Sequence, residues 1–230
     1  MNDEQFQLIQ DLIQEMEKVV IGKRQVLEMT LTSMLAGGHV LFEDIPGVGK
    51  TMLVKTLAKT IQGRFARVPF TPDLQPSDIS GVSIYNEQSG GFEFRPGPVF
   101  TTVLLADEIN RTAPRTQAAL LEAMSEGHVT IDNHTYELDE NFFVLATQNP
   151  IEYEGTFTLP EAQLDRFLFR LAIGYPSRED ELTLMNGQQE KALAEVQPVM
   201  TTQQLTALKL LVDEVYVDDL VLRYALDLVR

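Results

Sequence analysis

Pro46-Gly47-Val48-Gly49-Lys50-Thr51 follows directly on the run His39-Val40-Leu41-Phe42, and this stretch decides how the rest of the chain is read. A short strand that ends in a glycine-rich turn and opens a helix at Gly-Lys-Thr is built to hold phosphate. Glycines let backbone N–H groups converge on an anion with no Cβ in the way. Lys50 supplies a point charge for the β- and γ-phosphates, and Thr51 a hydroxyl for Mg²⁺. A helix from about Lys50 to Ile61 points its positive N-terminal end at the same anion. Residues Pro46, Gly47, Val48, Gly49, Lys50, Thr51 and Met52 are therefore expected to bind the nucleotide. The usual pattern is G-x-x-x-x-G-K-[ST], and here its first position is Asp44. A carboxylate facing a triphosphate would be repelled, so Asp44 is expected to point away.

A second motif supports the first. Thr102-Val103-Leu104-Leu105-Ala106 is a continuous apolar run of strand length, the pattern of a strand buried on both faces of a parallel sheet. It ends in Asp107-Glu108. Two adjacent carboxylates at the end of a buried strand are costly unless a cation and a water meet them there. Asp107, with Thr51, is the expected Mg²⁺ ligand. Glu108 is the expected catalytic acid that polarises the attacking water.

Composition sets bounds on the remaining possibilities. The 230 residues suffice for one large domain or one plus part of another, and 44% of them are hydrophobic. No run of 18 apolar residues occurs, so no membrane span is expected. The acidic, polar start Met1-Asn2-Asp3-Glu4-Gln5 does not read as a secretory signal. Absence of cysteine fits a reducing compartment, and a cytoplasmic location is expected. Eighteen basic against 34 acidic residues give a net charge of −16, which argues against general nucleic-acid binding. His39, His128 and His134 are too scattered to form a metal triad.

Strands and helices alternate along the chain. Amphipathic helices are expected over residues 4–19, with Phe6, Ile9, Leu12, Ile13 and Met16 on one face, and over 24–36, ended by Gly37-Gly38. Strands are expected at 39–43, 66–70, 102–106, 142–147 and 168–173, and a helix from Pro114 to about Ser125 stopped by Gly127. Residues 129–131 and 135–138 flank a hairpin turn. This alternation means an α/β fold with a parallel sheet flanked by helices. After Gly174-Tyr175-Pro176 only helical patterns follow, over 178–190, 202–215 and 218–230. The expected division is thus an α/β nucleotide-binding domain over 1–175 and the first part of a small, incomplete all-helical lid over 176–230.

Asp107-Glu108-Ile109-Asn110-Arg111 and Thr116-Gln117-Ala118-Ala119-Leu120-Leu121-Glu122-Ala123-Met124 resemble the MoxR family of AAA+ ATPases, in the helix-2-insert group of P-loop NTPases. Ala146-Thr147-Gln148-Asn149-Pro150 and Leu159-Pro160-Glu161-Ala162-Gln163-Leu164-Asp165-Arg166-Phe167 carry the same resemblance. It covers about Val20 to Ile173. Its implications are residue by residue. Asn149 is the sensor-1 residue, a neutral amide that addresses the γ-phosphate and positions water. Arg166 is the arginine finger offered to a neighbouring subunit, with Arg170 and Arg111 as rivals. Ile21 and Gly22 belong to the segment that packs near adenine. The family's sensor-2 arginine has no matching motif before Arg230.

Two insertions also fall where the family has them, at Ser83–Pro98 and around Asn133-His134. Phe92 and Phe94 in the first would either meet a client or pack on their own domain. The resemblance implies ATP and Mg²⁺ as cofactors, a homo-oligomeric ring that is hexameric in the family, and a chaperone-like ATPase that remodels protein partners. Proteins with a von Willebrand factor A domain are the implied partner class. The alternative is a nucleotide-dependent binding module with little hydrolysis.

Overall fold

Buried side chains alternate along the strands between two opposite faces, and that alternation sets the architecture. The computed structural model describes residues 3–44, 47–149, 155–185, 187 and 189–230. The chain begins with α1 (Asp3–Glu17) and α2 (Arg24–Leu35), then β1 (Val40–Glu43), α3 (Lys50–Thr60) and β2 (Phe65–Pro69). A short α4 (Pro76–Ser80) leads into a hairpin of β3 (Gly81–Asn86) and β4 (Gly91–Pro96). Strand β5 (Val103–Asp107) runs through one 3-10 turn into α5 (Pro114–Glu126), which is followed by the hairpin β6 (His128–Ile131) and β7 (His134–Glu137). Then come β8 (Phe143–Gln148), α6 (Glu161–Leu164), β9 (Phe169–Leu171), α7 (Arg178–Met185), α8 (Gln189–Glu195), α9 (Thr202–Asp213) and α10 (Asp219–Val229).

Among the described residues the main sheet has five parallel strands in the order β2-β5-β8-β1-β9. Val40, Phe42, Val103, Leu105, Phe143 and Leu145 face one core with α1, α2 and α3. Leu41, Leu104, Ala106, Val144 and Ala146 face the other, with α5 and the segment around Ile79. The three inner strands β1, β5 and β8 are thus buried on both sides, which is why their sequences read as unbroken apolar runs and not as alternations, whereas the edge strands β2 and β9 are only partly covered. The expected α/β sheet flanked by helices is the observed fold.

Helix ends follow local chemistry. Pro114 opens α5 at its first turn, and Gly127, at φ 66°, ends it in the left-handed region. Phe6 departs from expectation. Leu12, Ile13 and Met16 are buried on α1, but Phe6 remains 55% exposed, because the first turn projects past the core. The continuous helix expected over 178–190 is instead α7 and α8, with Gly187 at φ 68° between them. Residues 176–230 are helical wherever a regular element is described. Part of that segment returns to the α/β core. Val196, Met200, Leu205 and Leu208 are buried with α1 and α2, and the N–H groups of Val199 and Met200 donate to the Thr60 carbonyl. No side chain of α7 or α10 is buried. Among the described residues no helix is long and apolar enough to cross a membrane.

The insertion at 83–98 is the β3–β4 hairpin, which begins two residues earlier than its composition suggested. Its aromatic rings divide. Phe94 stacks on Tyr136 of β7 at 4.0 Å and meets Phe100 edge-on at 5.4 Å. Phe92 pairs across the hairpin with Tyr85 and stays 75% exposed.

Candidate active site

All five strands run in the same direction, and their carboxyl ends deliver Glu43, Asp107 and Gln148 to one edge of the sheet. Ligands in open α/β sheets bind there. A cleft of about 400 Å³ opens at that edge. Gly47, Gly49, Lys50, Thr51 and Met52 form one wall, from the turn and the first residues of α3. Asp107 and Glu108 come from the end of β5, and Thr147, Gln148 and Asn149 from the end of β8 between them. Arg67 of β2, Gln189 and Asp44, whose carbonyl meets Lys50 there, complete the lining.

Gly47 and Gly49 have φ of 90° and 92°, a conformation open to glycine at little cost. Among the described residues no atom lies within 4 Å of where a Cβ would sit at either, so the turn leaves its backbone open to an anion. Lys50 Nζ reaches back to donate to the Asp44 carbonyl at 2.8 Å. Burial pushes the Lys50 ammonium below its usual pKa, and Asp44, Asp107 and Glu108 oppose that shift. An incoming phosphate would supply the missing counter-charge. Val48 packs against the core beneath the loop. Pro46 lies outside the described residues.

The two acids are held differently. Thr147 Oγ1 donates to Asp107 Oδ1 and accepts the Glu108 N–H, both at 2.8 Å. Asp107 Oδ2 is gripped by Arg67 through Nη2 at 2.5 Å and Nε at 3.1 Å. Glu108 Oε2 accepts from Arg111 Nη1 at 2.7 Å. Glu108 also stands at φ 58°, left-handed backbone for a side chain with a Cβ. Such strain persists only where its surroundings enforce it, and it clusters at functional sites. Here the Thr147 hydroxyl and Arg111 hold it in place.

Asn149 is buried, and Asn110 Nδ2 donates to its carbonyl at 3.3 Å. Gln117 supports the same floor from α5, donating to the carbonyls of Ile109, Thr112 and Phe157. Arg166 lies away from this cleft and donates to the Leu121 carbonyl of α5 at 3.1 Å. Arg170 is more than half exposed, 3.9 Å from Glu43. Ile21 and Gly22 sit at the turn between α1 and α2 and do not line the cleft. A Cβ on Gly22 would run into the Asp180 carboxylate of α7.

On the other side of Gly47–Gly49 lies a second cleft of about 400 Å³, walled by Tyr175, Pro176, Glu181, Leu184 and Met185. Sequence reasoning did not find this wall, nor Arg67 or Thr147. Thr147 carried one signal, a hydroxyl closing an otherwise apolar strand. Arg67 carried none, since its partner lies 40 residues away.

The donor set suits a Mg²⁺-bound nucleotide. A hydroxyl at Thr51 and a carboxylate at Asp107 are hard oxygen ligands of the kind Mg²⁺ takes beside phosphate, and the open glycine turn faces the same space.

Comparison with known proteins agrees with this geometry. The profile of the ATPase family associated with various cellular activities (AAA) matches residues 39–169. The chain is 51% identical over 224 residues to the uncharacterized protein YeaC of Bacillus subtilis, covering 97% of this chain and 70% of YeaC. It is 50% identical over 167 residues to chaperone MoxR1 of Mycobacterium tuberculosis, covering 73% of this chain and 44% of that one. The crystal structure of a "putative ATPase" from Cytophaga hutchinsonii superposes with a TM-score of 0.89 at 42% identity, over 98% of this chain and 68% of that one.

Proposed function

Because the chain belongs to the MoxR family of AAA+ ATPases, we propose that it binds Mg²⁺-ATP in the cleft at the carboxyl edge of the sheet and hydrolyses it. The observation that carries this reading is the convergence of Lys50 and Thr51 from the start of α3 with Asp107 and Glu108 from the end of β5. Backbone N–H groups of the 47–51 turn and the positive end of α3 hold the phosphates. Lys50 turns from the Asp44 carbonyl to a phosphate oxygen. Thr51 and Asp107 hold Mg²⁺, which neutralises charge building on the phosphates. Glu108 accepts a proton from the attacking water once Arg111 yields its carboxylate oxygen. Asn149 orients that water and the γ-phosphate without adding charge. The nucleoside end extends past Gly47–Gly49 toward Tyr175 and Met185.

Arg166 is proposed as the finger for a neighbouring subunit in a homo-oligomeric ring. Among the described residues, one of its five N–H donors is engaged, in the bond to Leu121. Arg170 and Arg111 are the rivals. The relative named a chaperone supports a chaperone-like action on protein partners, with von Willebrand factor A domain proteins as the proposed class and a hexamer as the proposed ring. A second reading, a nucleotide-dependent binding module with little hydrolysis, draws on the arginine already seated on each acid.

The test is Lys50→Ala. Its charge serves phosphate and not the core, so the variant should fold normally and lose ATP affinity by at least about 100-fold. Unchanged affinity in a folded variant would refute the phosphate-loop assignment.

A further inference from the structure

Asp44 is buried yet carries a carboxylate that the hydrolytic reading does not use. That carboxylate turns away from the cleft. It accepts the N–H of Ile173 and, at 3.2 Å, the N–H of Gly174. These two residues begin the linker from β9 to α7. The main chain of Asp44 faces the opposite way, and its carbonyl accepts Lys50 Nζ at 2.8 Å. One residue therefore grips the phosphate lysine with its backbone and the linker with its side chain.

The linker is held a second time, where Lys23 Nζ donates to the Tyr175 carbonyl at 2.7 Å. Tyr175 and Pro176 in turn wall the second cleft together with Glu181, Leu184 and Met185. Burying a carboxylate is costly unless it is hydrogen-bonded. Two backbone N–H donors offset that cost here. A glycine would close the same turn with no such cost, so the side chain is explained by what it holds.

We propose that Asp44 is a positioning residue that carries occupancy of the phosphate loop to the linker 173–176, and so sets where α7 lies along the second cleft. This rests on the phosphate-site reading above. The Lys50 ammonium donates to the Asp44 carbonyl. An anionic phosphate oxygen is the stronger acceptor and draws Nζ away. The Asp44 carbonyl then loses this partner, and any resulting shift of the residue passes through its carboxylate to the two linker amides. A ligand moves an equilibrium only through contacts that differ between states, and the Lys50–Asp44 bond is such a contact.

The probe is inorganic tripolyphosphate with Mg²⁺, which lacks the base and ribose that would touch Tyr175 and α7 directly. Calorimetry measures its binding, and amide hydrogen exchange follows peptides spanning 173–185. In the wild-type protein, binding should change exchange across 173–185 several-fold. Asp44→Ala should bind tripolyphosphate within a factor of about three of wild type, with the exchange response abolished. Asp44→Asn keeps one acceptor oxygen and should retain less than half the response. Tight binding with no response in the wild-type protein overturns the coupling and leaves the phosphate site standing. A full response in Asp44→Asn or Asp44→Ala also overturns it. Failure of tripolyphosphate to bind the wild-type protein overturns the phosphate site, and the coupling with it. Should Asp44→Ala fail to fold, wild type against Asp44→Asn still decides.

Discussion

At the scale of single residues, His39 is the most consequential group outside the cleft. It immediately precedes β1, and its ring bridges α5 and β8. Nδ1 accepts the Val144 N–H at 3.1 Å, and Nε2 donates to the Met124 carbonyl at 3.2 Å. Both bonds together require the neutral ring. Burial lowers its pKa to about 4, against a partial opposing effect of the Met124 carbonyl. The unfolded chain therefore takes up a proton near pH 6.5 that the folded chain refuses until about pH 4. Stability from this group is fully present above pH 6.5 and declines as pH falls toward 4, by a total on the order of 3 kcal/mol. His39→Gln can keep one donor and one acceptor and does not titrate. Between pH 7 and 5 its melting temperature should fall less steeply than that of the wild type, and parallel curves would contradict the assignment. Legibility at this scale followed the range of the interaction. Lys50, Thr51, Asp107 and Glu108 were readable because each sits in a short pattern whose chemistry is local. Charge alone gave the outward direction of Asp44. Its partners Ile173 and Gly174 could not be read, since they lie about 130 residues on and offer only backbone N–H groups.

At the scale of elements, the inner strands were legible as unbroken apolar runs, and α1, α3, α5 and α9 because each buries a periodic apolar face. Boundaries moved by a residue or two where no Gly or Pro fixed them. The β3–β4 hairpin was harder. Val82, Ile84, Tyr85 and Phe92 are exposed, so no in-out alternation marks its strands. Its root is fixed by a close backbone approach. A Cβ on Gly97 would lie 2.2 Å from the Ile79 carbonyl oxygen and 2.6 Å from the Gly81 nitrogen, where α4 enters the hairpin. Backbone cannot yield as a side-chain tip can. Gly97→Ala should therefore destabilise the protein by about 2–4 kcal/mol, read from the urea midpoint. Gly90→Ala at the hairpin tip, with open space around it and φ 67°, should cost only about 1 kcal/mol. Equal midpoints for the two variants would show that the hairpin root is not constrained in this way. The break between α7 and α8 escaped the helical pattern because Gly187 interrupts it without changing the spacing of apolar residues.

At the scale of the whole molecule, strand order explains why residues far apart in sequence share one cleft. β8 lies between β1 and β5, so Thr147 and Asn149 fall between the phosphate loop and the two acids. The chain spans 70% of the length of YeaC and 44% of that of MoxR1, and ring assembly and partner remodelling remain proposals. The proposed hydrolysis is assigned to the cleft itself. Its most direct test is phosphate release from Mg²⁺-ATP by wild type and Glu108→Gln, at concentrations where both are saturated with nucleotide. Glutamine keeps the size of Glu108 and its contact with Arg111 but cannot take a proton from water. The account predicts equal ATP binding and release slowed by roughly 100-fold or more in the variant. Equal release rates at equal occupancy would contradict it and leave nucleotide-dependent binding as the function of the site.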